Sequence, residues 1–279
     1  MKTQEEIMAG LYIKGESDEA AIKRLIAIIA LLRMENGCPW DRVQTHESLK
    51  SCLIEEAYEV IDAIDRRDKD NLEEELGDLL LQVVFHGEIA RESGDFSIKT
   101  LANREADKMI RRHPHVFINN EGESIDKALE KWENVKRKEK NQTTHSESMR
   151  SLPKNLPALT KSVKIQKKAA HVGFDWDDIK DAFDKVHEET QELLDSCATD
   201  DQEHIKEEIG DLLFAVVNVA RFLKVDPEEA LNEASQKFIN RFDFIESQSK
   251  ACGKVLEEMT LMEMDEFWDL AKIELKTVK

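Results

Sequence analysis

The chain has 279 residues, 41% hydrophobic, 35% charged and 6% aromatic, with only 5 prolines and 10 glycines. That length suits about two domains, and abundant Leu, Ile, Ala, Glu and Lys with so few breakers favours helices over sheets. A formal net charge of −19 argues against an electrostatic grip on nucleic acid or anionic lipid, which needs a basic surface.

The first residues, "MKTQEEIMAG", carry no signal-peptide pattern, and no apolar run is long enough to cross a bilayer. Cys38, Cys52, Cys197 and Cys252 have no CxxC spacing and read as reduced thiols. The expectation is a cytoplasmic protein with neither a membrane nor a nucleic-acid partner.

Ile22, Leu25, Ile26, Ile29 and Leu32 recur at helical spacing, so a first amphipathic helix is predicted from about Ser17 to Glu35, and "NGCPW" ends it. A second runs from about Thr45 to Asp65, and after the polar turn "RRDKDN" a third from about Leu72 to Arg91. A fourth spans Ile98 to Arg112 and stops at "HPHVF", where His113 precedes proline. His113 and His115 read as a post-helix turn, since no carboxylate or cysteine ligand adjoins them. Residues 137–152 are polar without an apolar face, and "PKNLPAL" adds two prolines. The predicted organisation is therefore a helical domain over 1–140, a linker over 141–155 and a second helical domain over 156–279.

The second half repeats the first. A shift of 207 − 74 = 133 places "LIEEAYEVID" on "VHEETQELLD" and "EEELGDLLLQVVF" on "KEEIGDLLFAVVN" without a gap. Further on, "KMIRR" resembles "KFINR" and "WENVK" resembles "WDLAK", in the same order but with small insertions.

Within each repeat four acids hold register: Glu56, Glu59, Glu75 and Asp78 in the first half, Glu189, Glu192, Glu208 and Asp211 in the second. Residues three apart share a helix face, and two helices joined by a short turn lie antiparallel, so the pairs converge. A solvated acidic face is the ordinary use of such residues. Against it, each aspartate opens an apolar stretch expected to be largely buried, and the turn between the helices diverges while the acids do not. Gly77 and Gly210 sit between the Glu and Asp of each second pair, at a cost of about 1 kcal/mol relative to alanine. Their expected role is to let a neighbouring helix approach closely.

Clustered carboxylates need protons or cations to offset their repulsion. Oxygen ligands without imidazole suit Mg²⁺, or Mn²⁺ as a substitute, better than zinc or iron. Mg²⁺ so held usually keeps positions for water and substrate phosphates, which points to a polyphosphate substrate. Lys237 and Arg241, and in the first half Lys108 and Arg112, are candidate phosphate contacts. Trp268 with Lys272, and Trp132 with Lys136, are candidates for stacking on a base, although a lone tryptophan more often anchors a core or interface.

The pattern Glu55-Glu56-x-x-Glu59 with Glu75-x-x-Asp78, repeated as Glu188-Glu189-x-x-Glu192 with Glu208-x-x-Asp211, resembles the MazG nucleoside triphosphate pyrophosphohydrolases, as do "GCPWD", "RRHPHVF" and "KKAAHVGFDW". The resemblance spans nearly the whole chain. It implies two tandem all-α bundles and Mg²⁺-dependent hydrolysis of nucleoside triphosphates, ATP among them, to monophosphate and pyrophosphate. It also implies broad base tolerance, a role in clearing nucleotide pools, and a homodimer. By the same resemblance Glu189, Glu192, Glu208 and Asp211 hold the metal, Lys185, Lys237, Arg241 and Trp268 contact the nucleotide, and Glu188 is a candidate general base. Asn218 and Lys272 extend the nucleotide-binding set.

The halves are not equivalent. Cys52 stands at the register of Lys185 and Phe85 at that of Asn218, so the second half is expected to be the principal catalytic domain. Two rival readings are a pyrophosphohydrolase restricted to one nucleotide and a non-catalytic, metal-dependent helical scaffold.

Overall fold

The computed structural model describes residues 8, 10–118, 124–139, 142–199 and 201–275, and every regular element among them is helical. The chain divides into two compact units, Met1–Lys136 and Arg137–Lys279.

The first unit contains α1 (Asp18–Leu32), the short α2 (Pro39–Val43), α3 (Lys50–Asp65), α4 (Lys69–Ser93), α5 (Ile98–Arg112), the one-turn α6 (Pro114–Phe117) and most of α7 (Ile125–Glu139). Side-chain caps set several starts: Ser17 accepts from Ala20 N, Asp68 from Asn71 N, and Ser97 and Thr100 form a reciprocal capping box. Gly94 ends α4 with φ +79°, the left-handed conformation that favours glycine. α3 and α4 pair as a hairpin and α1 lies against α4. Between them Ile29, Leu49, Val84 and Phe85 form a buried core, against which Cys52, Leu81 and Ile98 pack. His113 caps α5 with its Nδ1–H donated to Met109 O at 2.7 Å, which is the turn expected of it.

The second unit contains α8 (His145–Arg150), α9 (Ala158–Ala170), α10 (Ile179–Ser196), α11 (Gln202–Phe222), α12 (Pro227–Ala251), a 3₁₀ turn (Leu256–Glu258) and α13 (Leu261–Glu274). The pattern repeats, with α10 and α11 as the hairpin and α9 against α11. The stretch predicted as a linker is in part a folded element. Thr144 and Glu147 form a capping box that starts α8, α8 packs on α9, and buried Ser148 accepts a hydrogen bond from Lys168 Nζ at 2.7 Å. A local cap thus makes a helix from residues with no apolar periodicity.

Candidate active site

Antiparallel α10 and α11 bring five acids of the second unit together. Carboxylate oxygens of Glu189, Glu208 and Asp211 lie within 4.8 Å of one another, as do those of Glu188, Glu189 and Glu192. Glu189 belongs to both groups. It is only 4% exposed and Glu208 only 8%, whereas Asp211 and Glu192 are exposed. Buried carboxylates of like charge require a counter-charge. Lys185 supplies one, with Nζ 2.5 Å from Glu189 and 2.8 Å from Glu188, and the two acids hold its ammonium above the usual lysine range. His204 Nδ1 lies 3.4 Å from Glu208 and adds charge only when protonated. Burial, then Glu189 and Glu208, push the Glu192 carboxyl up against the opposing pull of Lys185. The donor set is all oxygen, which fits a hard cation such as Mg²⁺ or Mn²⁺.

In the first unit Glu56, Glu59 and Glu75 come within 4.8 Å, and Gln82 Nε2 donates to Glu56 at 3.4 Å. Asp78 stands outside that group, unlike its counterpart Asp211. Burial, followed by neighbouring acids, pushes both Glu56 and Glu75 above the ordinary carboxylate value. Where the second unit has Lys185 and Asn218, the first has a half-buried Cys52 packed against the hydrophobic core and Phe85 within it.

Beside the second cluster lies a cavity of about 660 Å³. Lys185, Glu189, Asp211 and Asn218 line it, and so do Gln166, Phe174, Trp176 and Arg221. These last four were not singled out individually from the sequence. They stand on three different segments, α9, the loop after it and α11, so no spacing rule links them. The segment "KKAAHVGFDW" was the one sequence signal near them. Arg221 donates to both carboxylate oxygens of Asp175 at 2.9 and 2.5 Å and so fixes the loop that carries Phe174 and Trp176.

The remaining cations stand elsewhere. Lys237, Arg241, Trp268 and Lys272 do not line the cavity. Arg241 lies 5.3 Å from the centroid of the Trp268 ring, Phe238 is tilted against the same ring at 5.0 Å, and Lys272 donates to Asp269 at 2.8 Å. The first unit copies the arrangement, with Arg112 5.2 Å and Lys136 4.4 Å from the Trp132 centroid. Lys108 pairs with Glu105. The weaker matches of the duplication thus correspond to one Arg–Trp contact repeated in the two units.

Two expectations need correction. A Cβ at Gly77 or Gly210 would meet nothing within 4 Å, so within one chain neither glycine accommodates a neighbouring helix. Close approach occurs instead at Gly87, where a Cβ would stand 2.4 Å from Ile98 Cδ1. Nor is the stretch after each aspartate largely buried. Leu80 and Val83 in the first unit, and Leu213 and Val216 in the second, are exposed, because a helix packed on one side buries only part of its circumference.

A model described as the MazG nucleotide pyrophosphohydrolase domain matches residues 44–117 and again 179–243. The chain is 46% identical over 250 residues to the nucleoside triphosphate pyrophosphohydrolase/pyrophosphatase MazG of Thermotoga maritima, covering 90% of this chain and 95% of that one. It is 43% identical over 254 residues to the nucleoside triphosphate pyrophosphohydrolase of Escherichia coli K12, covering 90% and 97%. The crystal structure of a mazG-related protein from Thermotoga maritima aligns with 41% of this chain and 98% of that chain, at 30% identity and a TM-score of 0.37.

Proposed function

We propose, because the chain belongs to the MazG nucleotide pyrophosphohydrolase family, that it hydrolyses nucleoside triphosphates to monophosphate and pyrophosphate with Mg²⁺. We further propose that it accepts many bases and clears unwanted nucleotides. The observation that carries this reading is the pair of buried acids, Glu189 and Glu208, grouped with Asp211 at a cavity that Lys185 also lines.

Glu189, Glu192, Glu208 and Asp211 would hold the cation, with Mn²⁺ as a substitute. A cation bound there neutralises phosphate charge and lowers the pKa of a coordinated water. Lys185 faces the same space and stabilises charge that develops on phosphate oxygens. Glu188, exposed and bonded to Lys185, is the carboxylate we propose as the base that takes a proton from water. Water attacks one of the two phosphorus atoms that flank the α–β bridging oxygen, the bond from that phosphorus to the bridging oxygen breaks, and monophosphate and pyrophosphate separate.

Nucleotide contact by Lys237, Arg241 and Trp268 calls for a second copy of the chain, because in one copy they do not share the cavity. Exposed apolar stripes support assembly. Ile209, Leu213 and Val216 on α11 repeat, at the same register, Leu76, Leu80 and Val83 on α4. Patches of this kind mark interaction surfaces. A homodimer would cover them, Gly210 and Gly77 included. Among the described residues no helix is long and apolar enough to cross a membrane. The four cysteines are free, which suits a cytoplasmic location.

Incubation with a panel of NTPs and dNTPs, with and without Mg²⁺, tests the reading by its products. Monophosphate and pyrophosphate are expected; diphosphate with orthophosphate, or no turnover, would overturn it. Mixing Glu192→Ala with Arg241→Ala protein tests the shared site: heterodimers regain activity only if each copy completes the other.

A further inference from the structure

Away from the acid clusters, the first unit sets two imidazoles against one another. His46 lies in the turn before α3 and His86 on α4, both half-buried, and their Nδ1 atoms are 2.7 Å apart. The ring centroids stand 5.0 Å apart with the planes only 10° from parallel. That separation is the Nδ1–Nδ1 distance plus two ring radii, so the rings meet edge to edge, the geometry of a short N–H···N bond. Two bare nitrogens or two N–H groups would repel at that distance, so the pair holds one proton between them: one Nδ1 donates and the other accepts. Phe96 stacks on His46 with centroids 6.5 Å apart. The turn at 66–68 joins α3 to α4 covalently, and the two histidines tie the hairpin at its opposite, open end. The shift of 133 puts Ile179 and Val219 at their registers in the second unit, where neither can titrate. Few charges surround the pair. Glu47 adjoins His46 and interacts with it, and Lys50 acts on Glu47 in turn. On α4 the residues one turn either side of His86 are Gln82 and Ala90. Arg33 and Glu92, which tie α1 to the same end of α4, occupy each other at 2.9 and 2.8 Å, and Asp95 accepts from Ser93 Oγ at 2.9 Å.

We infer that the His46–His86 contact is a proton-sensitive clasp on the open end of the α3–α4 hairpin, closed near neutral pH and released by acid, in the first unit alone. The pair can take up one proton at a free Nε2 and keep its bond, since an imidazolium Nδ1–H still donates to a neutral Nδ1. A second proton must go onto the accepting Nδ1. That removes the bond and sets two cations edge to edge at half-buried positions. Burial and then His46 push the His86 imidazole below its usual range, the direction such a pairing requires. A histidine shifted this way favours the closed form when neutral, so its contribution is fully present above the free value of 6.5 and is lost as pH falls below it. Arg33 donates to Asp41 O and Gln44 O whatever the pH, so acid loosens the start of α3 and not the whole unit. The corresponding end of the α10–α11 hairpin, with Ile179 and Val219, has no such response.

The test is hydrogen–deuterium exchange of the full chain, read by mass spectrometry at about pH 7.5 and about pH 5.5, either side of the free histidine value. Rates are corrected for the intrinsic pH dependence of amide exchange, and chelator is present so that metal release cannot contribute. The amides to follow are those of Ser48, Leu49, Lys50 and Leu53, which bond to the turn. One proton more in the open form than in the closed form makes opening about ten-fold more frequent at the lower pH, so their protection is expected to fall about ten-fold while that over 179–186 stays within about two-fold. In His86→Leu, which puts an apolar group where the second unit has Val219, the pH response should vanish even if basal protection is lower. Unchanged protection of these amides in the natural protein overturns the inference whether or not the variant folds. So does an equal loss over 179–186, which is a general effect of acid, or a response that persists in His86→Leu.

Discussion

Lys185 Nζ lies 2.5 Å from the Glu189 carboxylate, one turn along α10, with Glu189 almost wholly buried. The lysine thus offsets the charge of a buried acid and faces the space where phosphates are proposed to bind. Lys185→Met is expected to lower kcat/KM for ATP by about 100-fold, the usual cost of removing one group that stabilises developing charge. Steady-state kinetics checks this, and an unchanged kcat/KM would remove Lys185 from the site.

The acid groups of the two units are not equally equipped. Glu192 belongs to a cluster with Lys185 and an adjoining cavity, whereas in the unit of Glu59 the corresponding positions are Cys52, packed against the hydrophobic core, and Phe85, within it. Glu192→Ala is expected to abolish at least 99% of the pyrophosphate release, about a 100-fold loss, while Glu59→Ala leaves most of it. The reverse result would move the catalytic assignment to the first unit.

Phe85 is 5% exposed, and the Arg33 guanidinium carbon stands 5.3 Å from its ring centroid. Its side chain is therefore structural. Phe85→Ala should destabilise the first unit by about 3–5 kcal/mol, visible as a lower denaturant midpoint. The converse change, Asn218→Phe, places an aromatic ring in the cavity of the second unit and should weaken nucleotide binding.

Helix order, the hairpins and the duplication were legible because each is local: apolar periodicity marks a helix face, and a polar turn joins two helices. The clustered acids were legible because i, i+3 spacing on paired helices brings them together. The cavity was not, since Gln166, Phe174 and Asn218 come from separate segments and meet only through packing. The glycines were misread for a related reason: a sequence shows that a Cβ is missing, but only packing shows whether anything lies beside it. Exposed Leu80 and Val83 after Gly77, and Leu213 and Val216 after Gly210, place them on outer faces.

That placement predicts opposite outcomes for two similar substitutions. Gly210→Ala adds a methyl that meets nothing in the chain, so it should stabilise α11 by up to about 1 kcal/mol through helix propensity alone. Gly87→Ala puts a methyl 2.4 Å from Ile98 Cδ1, in a side chain packed against the core. It should destabilise by about 1–3 kcal/mol, the cost of overpacking. Thermal melts of both variants at a concentration too low for assembly would decide this, and a shared sign would refute it.

The carboxyls of Glu56, Glu75 and Glu192 are all pushed up, first by burial and then by their acidic neighbours. A carboxyl whose folded pKa exceeds its unfolded value favours folding when protonated. That contribution is fully present below the unfolded value of 4.5 and is lost as pH rises through the raised one. Above the raised values these three carboxyls carry charge and their mutual repulsion opposes folding, so a bound cation should help most there. Mg²⁺ at about 100 times its dissociation constant should add about 2.7 kcal/mol of stability. The Tm difference between Mg²⁺ and chelator should be large near about pH 7 and shrink towards about pH 5, as protons displace the metal. Glu192→Gln should reduce the difference contributed by the second unit, and Glu56→Gln that of the first. A difference that stays constant with pH, or none at any pH, would show that these acids do not hold the cation.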